Sequence, residues 1–563
     1  MREGVRPSVQ ARRVSLQSRP DPFYYLNNFE SVLSSLLERY PDLMCAEEHQ
    51  FIFRFGALPK VSRALMVRMI MRRGELFRAS KLNYGEIGET GAAAAPLLEA
   101  GWVDAAPQLG MPELQALLTK SELVQHFSLP AWHGRLNKGQ LVEILLARYP
   151  DARSYQEWCA GSSDKVYRLL AAGVCERFRL MFFGNFRQGW SEFVLADLGI
   201  FSYETIEPSA HSRAFRTRTD IEAFEQLQAC RELLEGGAPT DAVHANLPPA
   251  LDCDWLEDRR QKLLFKIGRA YEREGAENAA LAAYSMCTHP EARVRVIRLH
   301  ERSGEWEKAR ALCLTAQEKP GSEAERQQLR RLLPRLSRRL GISGDPAPPA
   351  ASIPSFDLVL DAPPANRPAE FHVRDYLARQ MPDGAMVQYV ENGLVNSLFG
   401  LLCWRAIFAP VSGAFFHDFH HGPADLSSGG FYRRRERQFS ECFAQLESAD
   451  YLATIRQTYD EKTDVQSPFV NWSLLNRPLL EWALSCFPAA HLRLWFEWIA
   501  RDIQNNRAGF PDLVQFWPHQ RRYRLIEVKG PGDRLQDNQR RLLEYCVLHR
   551  MPVAVCHVRW GDQ

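Results

Sequence analysis

Along residues 23–40 the apolar side chains Tyr25, Phe29, Val32, Leu33, Leu36 and Leu37 recur at the three-to-four-residue spacing of one helical face, and Pro41 ends the run. This predicts an amphipathic helix. Residues 51–55, a helical stretch at 63–72 and the segment 82–102 together have the rhythm of a small winged-helix-like unit. Over 111–149, ELQALL and KGQLVEILL predict two short helices around a loop that carries Trp132, His133, Gly134 and Arg135. From 166 to 340 helical patterns follow one another, and the AYEREG and RSGEWEKA stretches have the cadence of tetratricopeptide-like helix pairs, which stack into an array. Residues 341–368 break that rhythm with Pro, Ala, Ser and Asp and read as an extended connection. Beyond it come a buried helix after Glu391, aromatic-rich helices in 469–503, and a strand, turn, strand, helix and strand over 509–558.

The expected fold class is therefore multidomain: mainly α-helical in the N-terminal and central regions, with a C-terminal α/β domain. The expected divisions are a disordered arm at 1–20, rich in Arg, Ser, Gln and Pro, a winged-helix-like domain at 21–107, a small helical module at 108–152, a helical array at 153–345, a Pro-rich connection at 346–370 and the α/β domain at 371–563. At 563 residues, with 45% hydrophobic and 25% charged side chains, the chain is too long for one core. Seventy basic residues nearly cancel sixty-eight acidic ones, so net charge does not identify a partner and local distribution must. The twelve cysteines include no C-x-x-C pair, which argues against a zinc ribbon and a disulfide framework and for a reducing intracellular compartment, cytoplasm or nucleoid. No apolar stretch reaches the length of a membrane span.

The chemistry concentrates near the C-terminus. Asp512 follows Pro511 into the first strand of the predicted hairpin, and Glu527 and Lys529, two residues apart on the second, point to one face. Alone, an E-V-K triplet is an ordinary solvent-facing edge strand. Paired with Pro-Asp inside an otherwise apolar hairpin it becomes a poor place for idle charge, because unpaired burial is costly. This is the P-D…E-x-K arrangement of restriction-endonuclease-like nucleases. Two adjacent carboxylates suit hard cations such as Mg²⁺ or Mn²⁺, one or two ions, and a lysine beside them can orient a nucleophilic water and offset phosphate charge. Glu391 is the candidate third carboxylate; equally, it reads as a first-turn acid favoured by a helix dipole. Gln388, read as one turn before it, is a candidate lining residue, and Asp533, Arg534 and Gln539 either touch DNA, order the loop or cap the next helix.

Lys120, Arg135 and Lys138 lie near helix ends of the 108–152 module, where they either receive phosphates or form a solvated basic face. The basic stretch 326–340 reads as a solvated amphipathic helix before a DNA contact, RRRER at 433–437 as either a backbone tracker or a charged surface helix, and His417, Asp418, His420 and His421 as a solvent-exposed loop before a metal cluster.

On GFPDLV (509–514), EVKGPGDRLQDNQ (527–539), VCHV (555–558), ENGLVNSLFGLLCWRAIF (391–408) and LNYGEIG (82–88), the chain resembles the bacterial form of the Fanconi-associated nucleases, of the virus-type replication-repair nuclease (VRR-NUC) superfamily. In that light the 108–152 module looks like a SAP DNA-binding domain. The resemblance implies metal ligation by Glu391, Asp512, Glu527 and the Val528 carbonyl, with Lys529 as the catalytic lysine. It also implies 5′-flap endonuclease and 5′→3′ exonuclease activity in interstrand cross-link repair. A junction-resolving or restriction-type nuclease is the alternative, and a non-catalytic repair scaffold is a third, disfavoured because all four site residues are present. Minimal enzymes of this superfamily tend to dimerise, and the aromatic insertion at 392–511 could block that pairing, so a monomer acting on branched or flapped DNA is expected.

Overall fold

A strand that the hydrophobic pattern did not announce ties the N-terminal third together. Val166–Leu169 (β3) sits between Leu76–Arg78 (β1) and Val103–Asp104 (β2), antiparallel to both. In the computed structural model, which describes residues 21–127, 136–190, 202–206, 213–342, 352–361, 367–382, 384–417 and 420–561, the described residues fall into two compact units divided at residue 198. Because β3 closes the sheet of the first unit, residues 166–169 do not open the helical array, and the following helix Ala172–Phe183 packs on Tyr24–Arg39. The helices Met111–Leu117, Lys120–His126, Lys138–Arg148 and Tyr155–Trp158 are threaded between β2 and β3, so the expected two-helix module at 108–152 has three short helices and a fourth follows it. Residues 1–20 lie outside the described residues.

In the second unit the helices Asp254–Glu274, Glu277–Ser285, Ala292–Arg302, Trp306–Glu318 and Glu323–Arg339 pack each on the next, as the repeat cadence predicts. Gly268 permits the first of these contacts, because a Cβ there would meet the Tyr284 ring at 2.5 Å. The proline-rich stretch contains the second unanticipated strand. Ser355–Leu360 (β4) pairs in parallel with Val553–Trp560 (β8), so the α/β domain begins before residue 371. With Met386–Tyr389 (β5), Leu513–Trp517 (β6) and Arg522–Lys529 (β7) they form one sheet in the order β4-β8-β7-β6-β5. The helix Asp537–Leu548 connects the parallel pair β7 and β8, the βαβ connection that parallel strands require.

Residues alternate between the two faces of the sheet. Leu513, Ile526, Val528, Cys556 and Val558 pack with the helix Ala369–Arg379, while Val514, Phe516, Leu525 and Val555 join a second core with the helices of the insertion, led by Phe399, Phe439, Trp495 and Phe496. Asp512 and Glu527, by register, belong to the insertion face. Among the described residues no helix is long and apolar enough to cross a membrane.

Candidate active site

The hairpin β6–β7 pairs Leu513 with Ile526 and Val514 with Leu525, which sets Asp512, just before β6, opposite Glu527. Lys529, two residues on, shares that face. Its Nζ lies 2.8 Å from Glu527 Oε1, and the Val528 N–H donates to Asp512 Oδ2 at 2.8 Å. At the site Val528, whose carbonyl is the expected ligand, contacts Asp512 through that amide. All three charged groups are buried: Asp512 is 7% exposed, Glu527 1% and Lys529 8%. Burial first, and the neighbouring negative charges second, push the Asp512 carboxyl up to about 6 and the Glu527 carboxyl up to about 7.

Gln539 resolves one open question. Its Oε1 accepts the Gln536 N–H at 2.9 Å, capping the helix Asp537–Leu548, while its Nε2 donates to Glu527 Oε1 at 2.6 Å. One amide therefore caps and reaches the site. Asp533 orders the loop, its Oδ2 accepting the Gly530 N–H at 3.2 Å. For Arg534 the structure gives no contact with the site.

Glu391 is placed differently from the sequence expectation. The helix Leu394–Leu402 begins three residues later, so Glu391 is not a first-turn acid but belongs to a turn leaving β5. It is exposed, and its carboxylate accepts from the Tyr389 hydroxyl. Its charge reaches both Asp512 and Glu527, yet among the described residues no three acidic, His or Cys side chains form a ready metal cage. Gln388, correspondingly, is a strand residue paired with Val514, on the same face as Asp512 rather than a helical turn from Glu391. Sequence reading missed Glu370, in the first turn of Ala369–Arg379, whose charge acts on Asp512 before that of Glu391 does. No local motif marks it, because only packing of that helix on β5 brings it there.

A clasp fixes the two segments that carry the acids. Asn392 adopts a left-handed backbone, φ 50°, and its Oδ1 accepts the N–H groups of Gly509 and Phe510 at 2.7 and 2.9 Å. Asparagine tolerates that conformation better than most residues. Val390 N–H donates to the Asp512 carbonyl at 2.7 Å. Gly509, φ 97°, has no room for a side chain, since a Cβ would lie 2.8 Å from the Asn538 backbone carbon.

The donor set fits a hard divalent cation. Glu527 Oε2 is buried with no hydrogen-bond partner, beside a second buried carboxylate that is itself raised. An unsatisfied carboxylate oxygen in such a place is costly unless a cation or a proton meets it. This has a consequence for the metal-free protein. A carboxyl whose pKa is higher folded than unfolded holds more protons in the folded state, so its contribution to stability is lost as pH rises from about 4 through its folded value. Glu527→Gln removes that loss. In EDTA the variant's thermal midpoint is expected to exceed wild type by more at pH 8 than at pH 5; an equal gap at both pH values contradicts the assignment.

The remaining candidates are scattered. Lys120 and Lys138 each open a helix behind a capping box, Thr119 accepting from Glu122 N and Asn137 from Gln140 N, while Arg135 lies outside the described residues. RRRER is a charged surface only in part: Arg433, Glu436 and Arg437 are exposed, whereas Arg435 is wholly buried on Asp425. The His segment is not simply a solvent loop: His417 is 6% exposed and stacks on His420 at 4.1 Å, while Asp418 lies outside the described residues.

Three family models match the chain: the VRR-NUC domain over residues 446–560, the FAN1 HTH domain over 23–104 and the Fanconi anemia-associated nuclease SAP domain over 108–158. The Fanconi-associated nuclease 1 homolog of Pseudomonas aeruginosa is 50% identical over 97% of this chain and 98% of its own. The homolog of Oryza sativa subsp. japonica is 24% identical over 96% of this chain and 63% of its own. A crystal structure of paFAN1 bound to 2-nt 5′-flap DNA with a gap superposes with a TM-score of 0.91 at 50% identity, covering 97% of this chain and 100% of that one; the 1-nt flap complex gives 0.88, covering 96% and 100%. With near-full-length identity at that level, a VRR-NUC match over the hairpin that carries Asp512, Glu527 and Lys529, and the preceding HTH and SAP matches in order, this chain belongs to the Fanconi-associated nuclease 1 family.

Proposed function

We propose that the chain is a structure-selective DNA nuclease that hydrolyses phosphodiesters at 5′ flaps, and exonucleolytically 5′→3′, with Mg²⁺ or Mn²⁺ held by Asp512, Glu527 and Glu391, in the repair of DNA interstrand cross-links. The observation that carries this is the unpartnered Glu527 Oε2, buried beside Asp512 and Lys529. The likeness to a protein crystallised on 5′-flap DNA supports the choice of substrate. When bound, the cation would supply Lewis-acid stabilisation of the phosphate and a more acidic water. The chain's own residues set the geometry. Gln539 and Lys529 both engage Glu527 Oε1, which leaves Oε2 directed into the site; the Val528 N–H holds Asp512 by Oδ2. Lys529 places a fixed positive charge where the phosphate's negative charge builds. Shape, through backbone contacts on duplex arms, selects the substrate in preference to base sequence.

The test is cleavage of labelled 5′-flap, nicked, four-way and linear duplex DNA in Mg²⁺, Mn²⁺ or EDTA. Metal-dependent cutting that prefers the flap supports the proposal; preference for paired cuts in four-way junctions would support the junction-resolving reading instead.

The proposal includes a monomer in a reducing intracellular compartment. The helices of the insertion pack on the sheet face that carries Glu527, and all twelve cysteines are free, eleven of them buried. Sedimentation at micromolar concentration is expected to give a single 64.5 kDa species. A symmetric dimer with paired junction cuts would refute this.

A further inference from the structure

We infer that Arg331, on the last helix of the helical array, is a positioning residue for the metal-binding carboxylate Glu527, acting through Asp537 and Gln539. The inference rests on the nuclease reading above. The orientation of Glu527 depends on Gln539, and Gln539 can present its Nε2 only while its own Oε1 stays on the Gln536 N–H, that is, while the first turn of Asp537–Leu548 stays where it is. That turn is gripped from outside the α/β domain. Arg331 donates from both Nη atoms to Asp537, at 2.8 Å to Oδ2 and 2.6 Å to Oδ1. Four residues earlier, and so on the same helical face, Gln327 donates its Nε2 to the Asp537 carbonyl at 3.2 Å. Its Oε1 accepts from Arg541 Nη1, one turn along the gripped helix, at 2.8 Å.

Two features separate this contact from an incidental surface pair. A two-pronged guanidinium–carboxylate bond fixes orientation as well as distance. And the residue it holds is the first of the helix, two positions from the amide that touches the site. Arg331 and Asp537 are about half exposed, at 49% and 58%, so their stability contribution is small and their loss leaves the fold intact. Through this grip the last helix of the array holds the turn that orients Gln539 toward Glu527, a role beyond that of a scaffold.

The test measures single-turnover cleavage and DNA affinity on 5′-flap DNA for wild type, Arg331→Ala, Gln539→Ala, the double variant and the exchanged pair Arg331→Asp with Asp537→Arg. Mn²⁺ affinity is followed by paramagnetic resonance of the free ion. Arg331→Ala is expected to slow cleavage and weaken Mn²⁺ binding about 10-fold, the scale of lost outer-shell support, with DNA affinity unchanged. The double variant is expected to be no slower than Gln539→Ala alone, because both act on one path, and the exchanged pair to recover most of the rate. Losses that multiply, a loss confined to DNA affinity, or cleavage at the wild-type rate would each overturn the inference. If wild type itself fails to cut in any metal, the nuclease reading falls first and takes this one with it.

Discussion

Lys529→Ala is expected to slow cleavage of 5′-flap DNA on the order of 10²–10³-fold while DNA affinity stays near wild type, the loss typical of removing one preorganised charge from a reaction centre. The ammonium is held in a buried pocket 2.8 Å from Glu527, so it is already oriented before substrate arrives. Its removal has a second effect with the opposite sign for binding. Without Lys529, two raised carboxylates face each other with no fixed cation, and a divalent ion meets less competing positive charge. Cleavage by Lys529→Ala should therefore fall although metal affinity holds or rises, whereas Asp512→Ala should lose both. Lys529→Arg keeps the charge but not the compact ammonium, and in a pocket this closed it is expected to remain far below wild type. Single-turnover rates with parallel binding curves decide the matter. Full activity in Lys529→Ala would place the reaction elsewhere.

The second large effect is on stability. Asp425→Ala is expected to destabilise the C-terminal unit by about 3–5 kcal/mol, seen as a lowered urea midpoint, because it strands a charge in the interior. Arg435 is 0% exposed, and its Nη1 and Nη2 reach Asp425 Oδ2 and Oδ1 at 2.7 and 2.9 Å. Arg434 adds a bond to Oδ2 at 2.8 Å, and Phe431 lies under the Arg435 guanidinium, 4.2 Å from ring to cation. Burial already holds the Arg435 pKa below its ordinary value, so losing the partner carboxylate leaves that cost unopposed. Replacing both residues together, Asp425→Leu with Arg435→Met, is expected to recover much of the loss. An unchanged midpoint for Asp425→Ala would show the pair to be incidental. The site's dependence is indirect: Phe431, under the Arg435 guanidinium, packs on Phe439, which stacks on Phe399 in the helix that follows Glu391.

The sequence by itself determined the elements whose signals are local. The hairpin, the helix after it and the last strand were legible because apolar alternation, then helical spacing, then alternation again run between Pro-Asp and Lys-Gly-Pro-Gly-Asp. That period-two alternation also sets Glu527 and Lys529 on one face, and register then places Asp512 across from them. The stacked helices of the array were legible for the same reason. Four things were decided only by tertiary structure. Strands β3 and β4 are short and embedded in helical or proline-rich surroundings, and they become strands because partners from distant segments satisfy their backbone groups. The place of Glu391 in a turn instead of a helix follows from the Asn392 clasp onto Gly509 and Phe510, which no spacing encodes. Arg435 looked like surface charge in RRRER because its carboxylate partner, Asp425, lies ten residues earlier in irregular chain. Glu370 comes near Asp512, and Arg331 onto Asp537, through helix packing alone, and contacts between residues so far apart in sequence depend on the whole fold and not on any window within it.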